Sequence, residues 1–395
     1  MGDFFLARRE IVYRSVLPPA LARLATPSLV CKTLPVSKSG LDEKRAPRER
    51  VTLKTLAGHL QLSPATVSII LNQAPSAKSI PAETQERVFE AARQFKYRPD
   101  YFAKSLRQKR TFTIGILAQD IGGGYGSLVL SGIEEALLEE GYFYFLASHH
   151  HKVTLLEKYN NLLIERGVEG IIAIDTELLH EPVLPLVTVS GHKSLRGVTN
   201  IILDHEHAAR SALSHLFQLG HRTIAFMKGQ PFSSDSADRW KAIKSVAATI
   251  GIKIDPELVL QLEMDTSSPE IGYELVLNLA KRRSDFTALF AYNDISAIGA
   301  VRALRDAGLR VPEEVSVIGF DDIESAAFYN PSLTTVRQPL KQMGRIAART
   351  LLDRMRGIEF PNEIAVEPML IARESTTHAR NGVSAPVDST AFSKE

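Results

Sequence analysis

At 395 residues, 44% apolar and 23% charged, the chain has the composition of an ordinary globular protein and the length for two or three domains. Its one cysteine, Cys31, excludes an internal disulfide and suits a reducing compartment, and no run of about 18 uncharged apolar residues offers a membrane span. The net charge of +2 hides an asymmetry: residues 1–50 hold ten Lys/Arg against five Asp/Glu (+5), residues 51–110 ten against four (+6), and residues 111–395 hold 27 against 36 (−9). A basic front before an acidic body points to contact with a polyanion, whether nucleic acid or a membrane surface.

Residues 1–50 mix Pro, Arg, Ser and Ala without a sustained period and read as a disordered basic leader. Within them "SVLPPALARLATPSLVC" (15–31) is the most apolar stretch, but Pro18, Pro19, Pro27 and Arg23 interrupt it, so it makes a poor secretion signal. From Val51 the pattern tightens into three short helices, a small all-α domain over 51–98. "TLKTLAGHLQL" puts Leu53, Leu56, Ala57 and Leu60 on one face. Ser63 can N-cap the next helix, with Pro64 in its first position. In "SIPAETQERVFEAARQFKY", Val88, Phe89, Ala92 and Phe95 form an apolar stripe.

The first two helices, joined by "QLS", have helix-turn-helix spacing, in which the second helix can enter a DNA major groove. On that second helix Val67, Ile70 and Leu71 should pack inward, while Pro64, Ala65, Ser68 and Ile69 face away with Thr66 on the border. Such a small outer face lets the backbone approach a groove. Ser63, Thr66 and Ser68 suit phosphate hydrogen bonds at the positive end of the helix dipole. The same pattern also fits a surface helix in any small bundle.

"RPDYFAKSLRQKRT" (98–111) reads as a basic linker with one short helix over 101–107. Beyond it come apolar runs of strand length: "TIGILA" (113–118), "YFYFLA" (142–147), "GIIAI" (170–174), "RTIAFM" (222–227), "FTALFA" (286–291) and "VSVIGF" (315–320). Amphipathic stretches such as "LVLSGIEEALLEEG" separate many of them, which predicts parallel sheets covered on both faces. About 260 residues of this pattern make two α/β lobes. The segment after 378 reads as a disordered tail.

Enzyme readings find little support. The adjacent histidines 149–151, and His205 with His207, lack a spaced third ligand and read as solvated loops. No G-x-S-x-G elbow occurs, and "GGGYG" (122–126) lacks the spacing of a phosphate loop. No cofactor and no metal are expected.

"VTLKTLAGHLQLSPATVSIILN", "IPAETQERVFEAARQFKYRPDYFAKSL" and "TIGILAQDI" resemble the lactose-repressor (LacI) family of transcription regulators. "LGHRTIAFMKG", "LFAYNDISAIGAVRALRDAGLRVPEEVSVIGFDD" and "NPSLTTVRQPLKQMGRIAARTLL" continue the likeness, in order, over about residues 51–375. The resemblance implies a helix-turn-helix headpiece (51–98) and a hinge linker with a short helix (99–111). It also implies an effector-binding and dimerisation core (112–378) of two doubly wound parallel-sheet lobes, like the periplasmic sugar-binding proteins. The expected lobe bounds are 112–203 with 333–358, and 204–332 with 359–378. The implied DNA-binding set is Thr52, Ser63, Pro64, Ala65, Thr66, Ser68, Ile69, Asn72, Tyr97, Lys104, Leu106 and Arg107. Leu106 matches the leucine that wedges into the minor groove, which unstacks a base step and bends the duplex. Lys109 and Arg110 are expected on phosphates with Lys104 and Arg107.

In α/β lobes ligands lie beyond the carboxyl ends of the strands. The loops 119–126, 190–193, 233–240, 291–294 and 319–322 are therefore the candidates. Motif matching assigns Tyr125, Ser190, Arg239, Asn293 and Asp321 to the effector; a guanidinium, an amide and a carboxylate suit a polyhydroxylated molecule. The chain departs from the family at Thr55 (usually Asp), at "LQL" (60–62; usually Ala-Gly-Val) and at Ile69 (often Arg). Pro64 and Ala65 stand where relatives often read bases, so direct readout here would lean on thymine-methyl contacts from Ala65 or Ile69. Gly123, Gly124 and Tyr125 replace an Asn-Pro-aromatic run, and Ser190-Gly191 an Asp-Arg pair, which sets the expected ligand apart from common sugars. The whole reads as a cytoplasmic, homodimeric repressor of a pseudo-palindromic double-stranded DNA operator. A small-molecule effector, carbohydrate or related metabolite, switches it, and it has no membrane partner. An exported sugar-binding protein would lack residues 51–107, and an α/β enzyme would show a convergent catalytic set.

Overall fold

The computed structural model describes residues 51–98, 105–106, 108–122, 124–178, 180–191, 195–231, 233–263 and 268–380. The expected leader, residues 381–395 of the expected tail and most of the linker helix, including Lys104 and Arg107, lie outside the described residues; Ala379 and Arg380, the start of the expected tail, are instead tied to the core, by an N–H bond to the Leu219 carbonyl and an ion pair with Glu314. The chain divides into two units after Pro99.

In the first unit, α1 (Leu53–Leu60) starts at Thr52, whose Oγ1 accepts from the Thr55 N–H at 3.1 Å, and stops at Gln61, which takes a left-handed φ of 55°. α2 (Pro64–Leu71) starts at Ser63, whose Oγ accepts from the Thr66 N–H at 3.0 Å, with proline in the first turn. Both starts follow the capping rule: a short hydroxyl side chain satisfies an otherwise orphan N–H. A 3-10 turn (Pro75–Ser79) leads to α3 (Ala82–Gln94). Leu56, Ala57, Leu60, Val67, Ile70, Val88 and Ala91 meet in a single buried cluster. Ser68 is buried rather than outward-facing, and the Asn72 amide nitrogen donates to its carbonyl at 2.7 Å and to its Oγ at 3.2 Å. The reason is that this eight-residue helix packs on both α1 and α3, so it buries a wider arc than one stripe. Leu71, expected inside, is only half-buried.

The second unit begins in lobe 1 with β1 (Thr113–Ala118), α4 (Tyr125–Glu139), β2 (Phe143–Ser148), α5 (Val153–Glu165), β3 (Gly170–Ile174), β4 (Leu186–Val189) and β5 (Val198–Leu203). Lobe 2 follows with α6 (His205–Gln218), β6 (Ile224–Lys228), α7 (Ser234–Ile250), β7 (Val259–Gln261), α8 (Glu270–Arg282) and β8 (Ala288–Phe290). It continues with α9 (Asp294–Asp306), β9 (Ser316–Asp321), α10 (Glu324–Phe328) and β10 (Thr334–Arg337). The chain then returns to lobe 1 for α11 (Leu340–Met355) and β11 (Glu363–Val366), and ends in lobe 2 with β12 (Met369–Ile371).

The sheet orders are β11-β5-β4-β3-β1-β2 and β12-β10-β9-β8-β6-β7. Every pairing is parallel except β10 with β12. Fully buried strands such as β1 and β3 read as near-continuous apolar runs because helices cover both of their faces, and β9, equally buried, breaks that pattern only with Ser316 and Asp321 at its ends. The lobe bounds need correcting. β10 pairs with β9, so the return to lobe 1 comes after Arg337 and not at 333. β11 pairs with β5, so the departure comes after Val366 and not at 358. Pro339, at the N-cap of α11, marks the real turning point.

Each lobe is held by one helix pair in backbone contact. A Cβ at Gly132 of α4 would overlap the Lys341 carbonyl, and one at Gly344 of α11 the Val129 carbonyl. Gly272 and Gly299 do the same for α8 and α9. Only glycine permits that approach. Among the described residues no helix is long and apolar enough to cross a membrane.

Candidate functional site

The strands of both lobes end at one cleft, because parallel strands send all their following loops to the same side. The cleft holds a cavity of about 130 Å³, and all five expected residues line it: Tyr125 and Ser190 from lobe 1, Arg239, Asn293 and Asp321 from lobe 2. Asp120, His151, Asp175, Gln230, Asp235, Tyr292 and Gln338 line it as well. Asp175 directly follows the predicted strand 170–174, so the strand-end rule applied evenly finds it. Gln338 follows β10 (Thr334–Arg337), whose four-residue, largely polar run offers β-branched residues but no apolar stretch to mark it out.

The expected residues are tightly held. The Tyr125 hydroxyl donates to Ser190 Oγ at 2.7 Å. Burial, with Asp235 and Asp175 nearby, pushes the phenol well up, so it remains a neutral donor. Arg239 is 5% exposed. Its Nη1 donates to the Tyr292 carbonyl and its Nη2 to Asp235 Oδ2, both at 2.7 Å. Its guanidinium lies 3.6 Å from the centroid of Phe320 and 4.6 Å from that of Tyr292. Burial is the largest influence and opposes its charge, but Asp235, Tyr292, Asp321 and Tyr125 together outweigh it and raise the guanidinium above its usual range. Asn293 N-caps α9, accepting from the Ser296 N–H at 2.9 Å in a reciprocal capping box. Gly229 lacks the Cβ that would collide with the Tyr292 ring, which is how that ring reaches the cleft.

Asp321 accepts from Gln338 Nε2 at 2.6 Å and has a φ of 106°. His151 (54°), Asp175 (45°) and Ser190 (50°) are also left-handed. Backbone that side-chain residues rarely adopt is thus concentrated at one cleft, as is common where a scaffold holds a binding geometry. Burial lifts the Asp321 carboxyl to about 7, against the pull of Arg239 and the Gln338 hydrogen bond. The sign follows: the folded chain keeps this proton up to about pH 7 while the unfolded chain loses it near 4, so the group costs stability as pH rises through that window. Asp321→Asn is expected to stabilise the core by up to about 4 kcal/mol at pH 8 and by little near pH 4. Denaturant melts at the two pH values check this; an equal effect at both refutes it.

The histidines also require correction. His149 is buried, with Nε2 at 2.9 Å from Thr176 Oγ1. His151 lines the cleft, and only His150 of the three is exposed. Left-handed backbone at His150 and His151 turns this loop where the His149 and His150 N–H groups donate to the Ala118 and Gln119 carbonyls at the end of β1, and the His149 ring reaches Thr176 just beyond β3. His205 is mostly buried, Nε2 3.0 Å from Asp235 Oδ1, whereas His207 is exposed.

In the headpiece Thr52, Ser63, Pro64 and Ala65 are exposed, Thr66 and Ile69 are half-buried, and Asn72 is exposed but engaged with Ser68. Ser63 and Thr66 hydroxyls lie 2.8 Å apart. Tyr97 is half-buried against the headpiece core. In the second unit Leu106 is 84% exposed. Arg110, expected on phosphates, is instead an anchor: it pairs with Glu169 at 2.9 Å, donates to the Tyr142 hydroxyl and stacks 4.5 Å from the Phe112 centroid.

Comparison with known proteins agrees with this architecture. Residues 213–376 match the periplasmic binding protein-like domain. The HTH-type transcriptional repressor PurR of Erwinia tasmaniensis is 30% identical over 334 residues, covering 82% of this chain and 96% of its own. A crystal structure of the lac repressor dimer bound to operator and the anti-inducer ONPF is 25% identical with a TM-score of 0.76, over 83% of this chain and all of that one. The complex of the transcriptional regulator CelR with cellobiose is 26% identical with a TM-score of 0.60, over 82% and 99%. With its helix-turn-helix unit, its two-lobed core and relatives matched over almost their whole length, this chain belongs to the LacI family of transcriptional repressors.

Proposed function

We propose that the protein acts as a homodimer on a pseudo-palindromic DNA operator, and that a small molecule held in the cleft switches its grip. The observation that carries this is a cavity lined jointly by side chains of two lobes, in a chain that also bears a helix-turn-helix unit. A ligand touching both lobes favours one of their relative orientations, and only such differential affinity can shift an operator-binding equilibrium. The capped N-terminus of α2, with Ser63, Pro64, Ala65 and Thr66, supports insertion into the major groove, where the helix dipole and free N–H groups favour phosphate. The protein acts by binding, without catalysis, and works where the chromosome is.

The exposure of Leu106 supports a minor-groove wedge, since the side chain does not pack on the core. Leu106→Ala is expected to weaken operator binding about tenfold or more while effector affinity stays unchanged. Equal operator affinity in a gel-shift titration removes the wedge from the account. The function itself is tested by selecting bound fragments from the protein's own genome, with and without a metabolite panel. No preference among fragments at moderate salt overturns it.

A further inference from the structure

A helix-turn-helix unit sends its second helix, here α2, into the major groove with the first residues nearest the base edges. The outer face of α2 is short of hydrogen-bonding side chains. Pro64 and Ala65 are exposed and carry none, and Pro64 lacks even an N–H. Ile69, half-buried, stands four residues after Ala65 and extends the same face. The polar side chains of the helix are engaged elsewhere. Ser68 is buried. Asn72 lies at the far end, and its amide donates to the Ser68 carbonyl at 2.7 Å and to Ser68 Oγ at 3.2 Å, which uses both amide hydrogens. Bidentate pairing with adenine needs one of them. Ser63 and Thr66 hold each other, their hydroxyls 2.8 Å apart, and Ser63 Oγ also caps the Thr66 N–H. The one hydroxyl hydrogen left between them suits a phosphate. Exposed Lys54 belongs to α1, the helix that crosses the backbone.

Such a face can sort base pairs on one feature only. In the major groove every pair shows three polar groups, either thymine O4 with adenine N6 and N7 or cytosine N4 with guanine O6 and N7. An apolar surface bonds to none of them and excludes water from all alike, so that cost does not discriminate. The C5-methyl of thymine is the apolar exception, and it gains from burial against Ala65 or Ile69. In 5-methylcytosine the same methyl sits on the same carbon, beside the opposite hydrogen-bond pattern.

We infer that α2 reads C5-methyl groups and not hydrogen-bond patterns, so that 5-methylcytosine replaces thymine at the positions it covers and operator grip responds to cytosine methylation there. This rests on the operator reading of α2. The test uses the full-length protein and an operator recovered from its genome. Each half-site thymine is replaced in turn, in both half-sites, by deoxyuridine, by cytosine or by 5-methylcytosine, the last two opposite guanine. At the covered positions deoxyuridine and cytosine are each expected to weaken binding about fifteenfold, a factor of about four for each of the two methyls lost. 5-Methylcytosine is expected to restore affinity to within about twofold. Ala65→Gly, exposed and outside the headpiece core, or Ile69→Ala should bring the thymine-to-deoxyuridine ratio close to one at the base it covers. The inference is overturned if deoxyuridine at every half-site thymine leaves affinity within about twofold, if 5-methylcytosine binds no better than cytosine, or if neither substitution lowers the ratio. A protein that prefers its operator equally with thymine and with deoxyuridine keeps the operator reading and loses the methyl one. A protein with no preference among thymine-bearing fragments loses both.

Discussion

Arg239→Ala is expected to destabilise the core by about 3–5 kcal/mol and to abolish the effector response, with operator binding intact. The size of the effect comes from what is left behind. Arg239 is almost wholly buried, and its loss leaves the Asp235 carboxylate, beside Asp321, with His205 but without its guanidinium, and removes the donor to the Tyr292 carbonyl. Removing one partner of a buried ion pair costs far more than the pair contributes, because the remaining charge keeps its desolvation penalty. The cleft also loses the group that stacks on Phe320 and Tyr292. The headpiece is a separate unit and should be untouched. Denaturant melts give the stability change, and operator titration with and without effector gives the response. A core of unchanged stability, or a normal response, refutes the assignment.

Ile70→Ala is expected to unfold the headpiece and cut operator affinity by about 100-fold or more, with effector binding in the core unchanged. Ile70 has no solvent exposure and lies in a cluster of seven buried residues among those described. Truncating a buried isoleucine to alanine costs about 2–5 kcal/mol. A domain of this size has little stability beyond that, since small units bury a smaller fraction of their surface. Amide-exchange protection in α1–α3 measures the unfolding directly. Retained protection together with retained operator affinity shows that the cluster matters less than its burial implies.

What could be read from the sequence was what is encoded locally. The runs 113–118 and 170–174 coincide with β1 and β3, because strands buried on both faces must be apolar throughout. Ser63 and Pro64 announced α2, because capping needs only a hydroxyl at one position and a preset φ at the next. The five assigned cleft residues meet in one cavity because Ser190 and Asn293 follow strands, Asp321 ends one, and Tyr125 and Arg239 lie in the helices that come next, all at the end to which the fold directs the strands. Long-range choices were illegible. Nothing in "LTTVRQPL" says which sheet its strand will join; the pairing with β9 is set 16 residues away in sequence, at Ile318 against Thr334. Arg110 looked like one more phosphate ligand in a basic linker until the fold brought Glu169 and Tyr142 beside it. His149 and His205 looked solvated for the same reason, since their partners Thr176 and Asp235 lie 27 and 30 residues on. Ser68 was misplaced by assuming one buried stripe on a helix that touches two neighbours.

The weaving of the chain between lobes bears on biosynthesis. A ribosome finishes β1 to β5 long before α11 and β11, the helix that packs on α4 and the strand that completes the sheet edge beside β5. The nascent amino-terminal lobe therefore waits, with one flank of its sheet uncovered, until the whole of its neighbour has been translated. Each lobe is completed by a segment translated after the other lobe has begun, so between residues 203 and 340 the first sheet has neither α11 nor β11 to cover it, and exposed edges and faces of that kind are what chaperones shield.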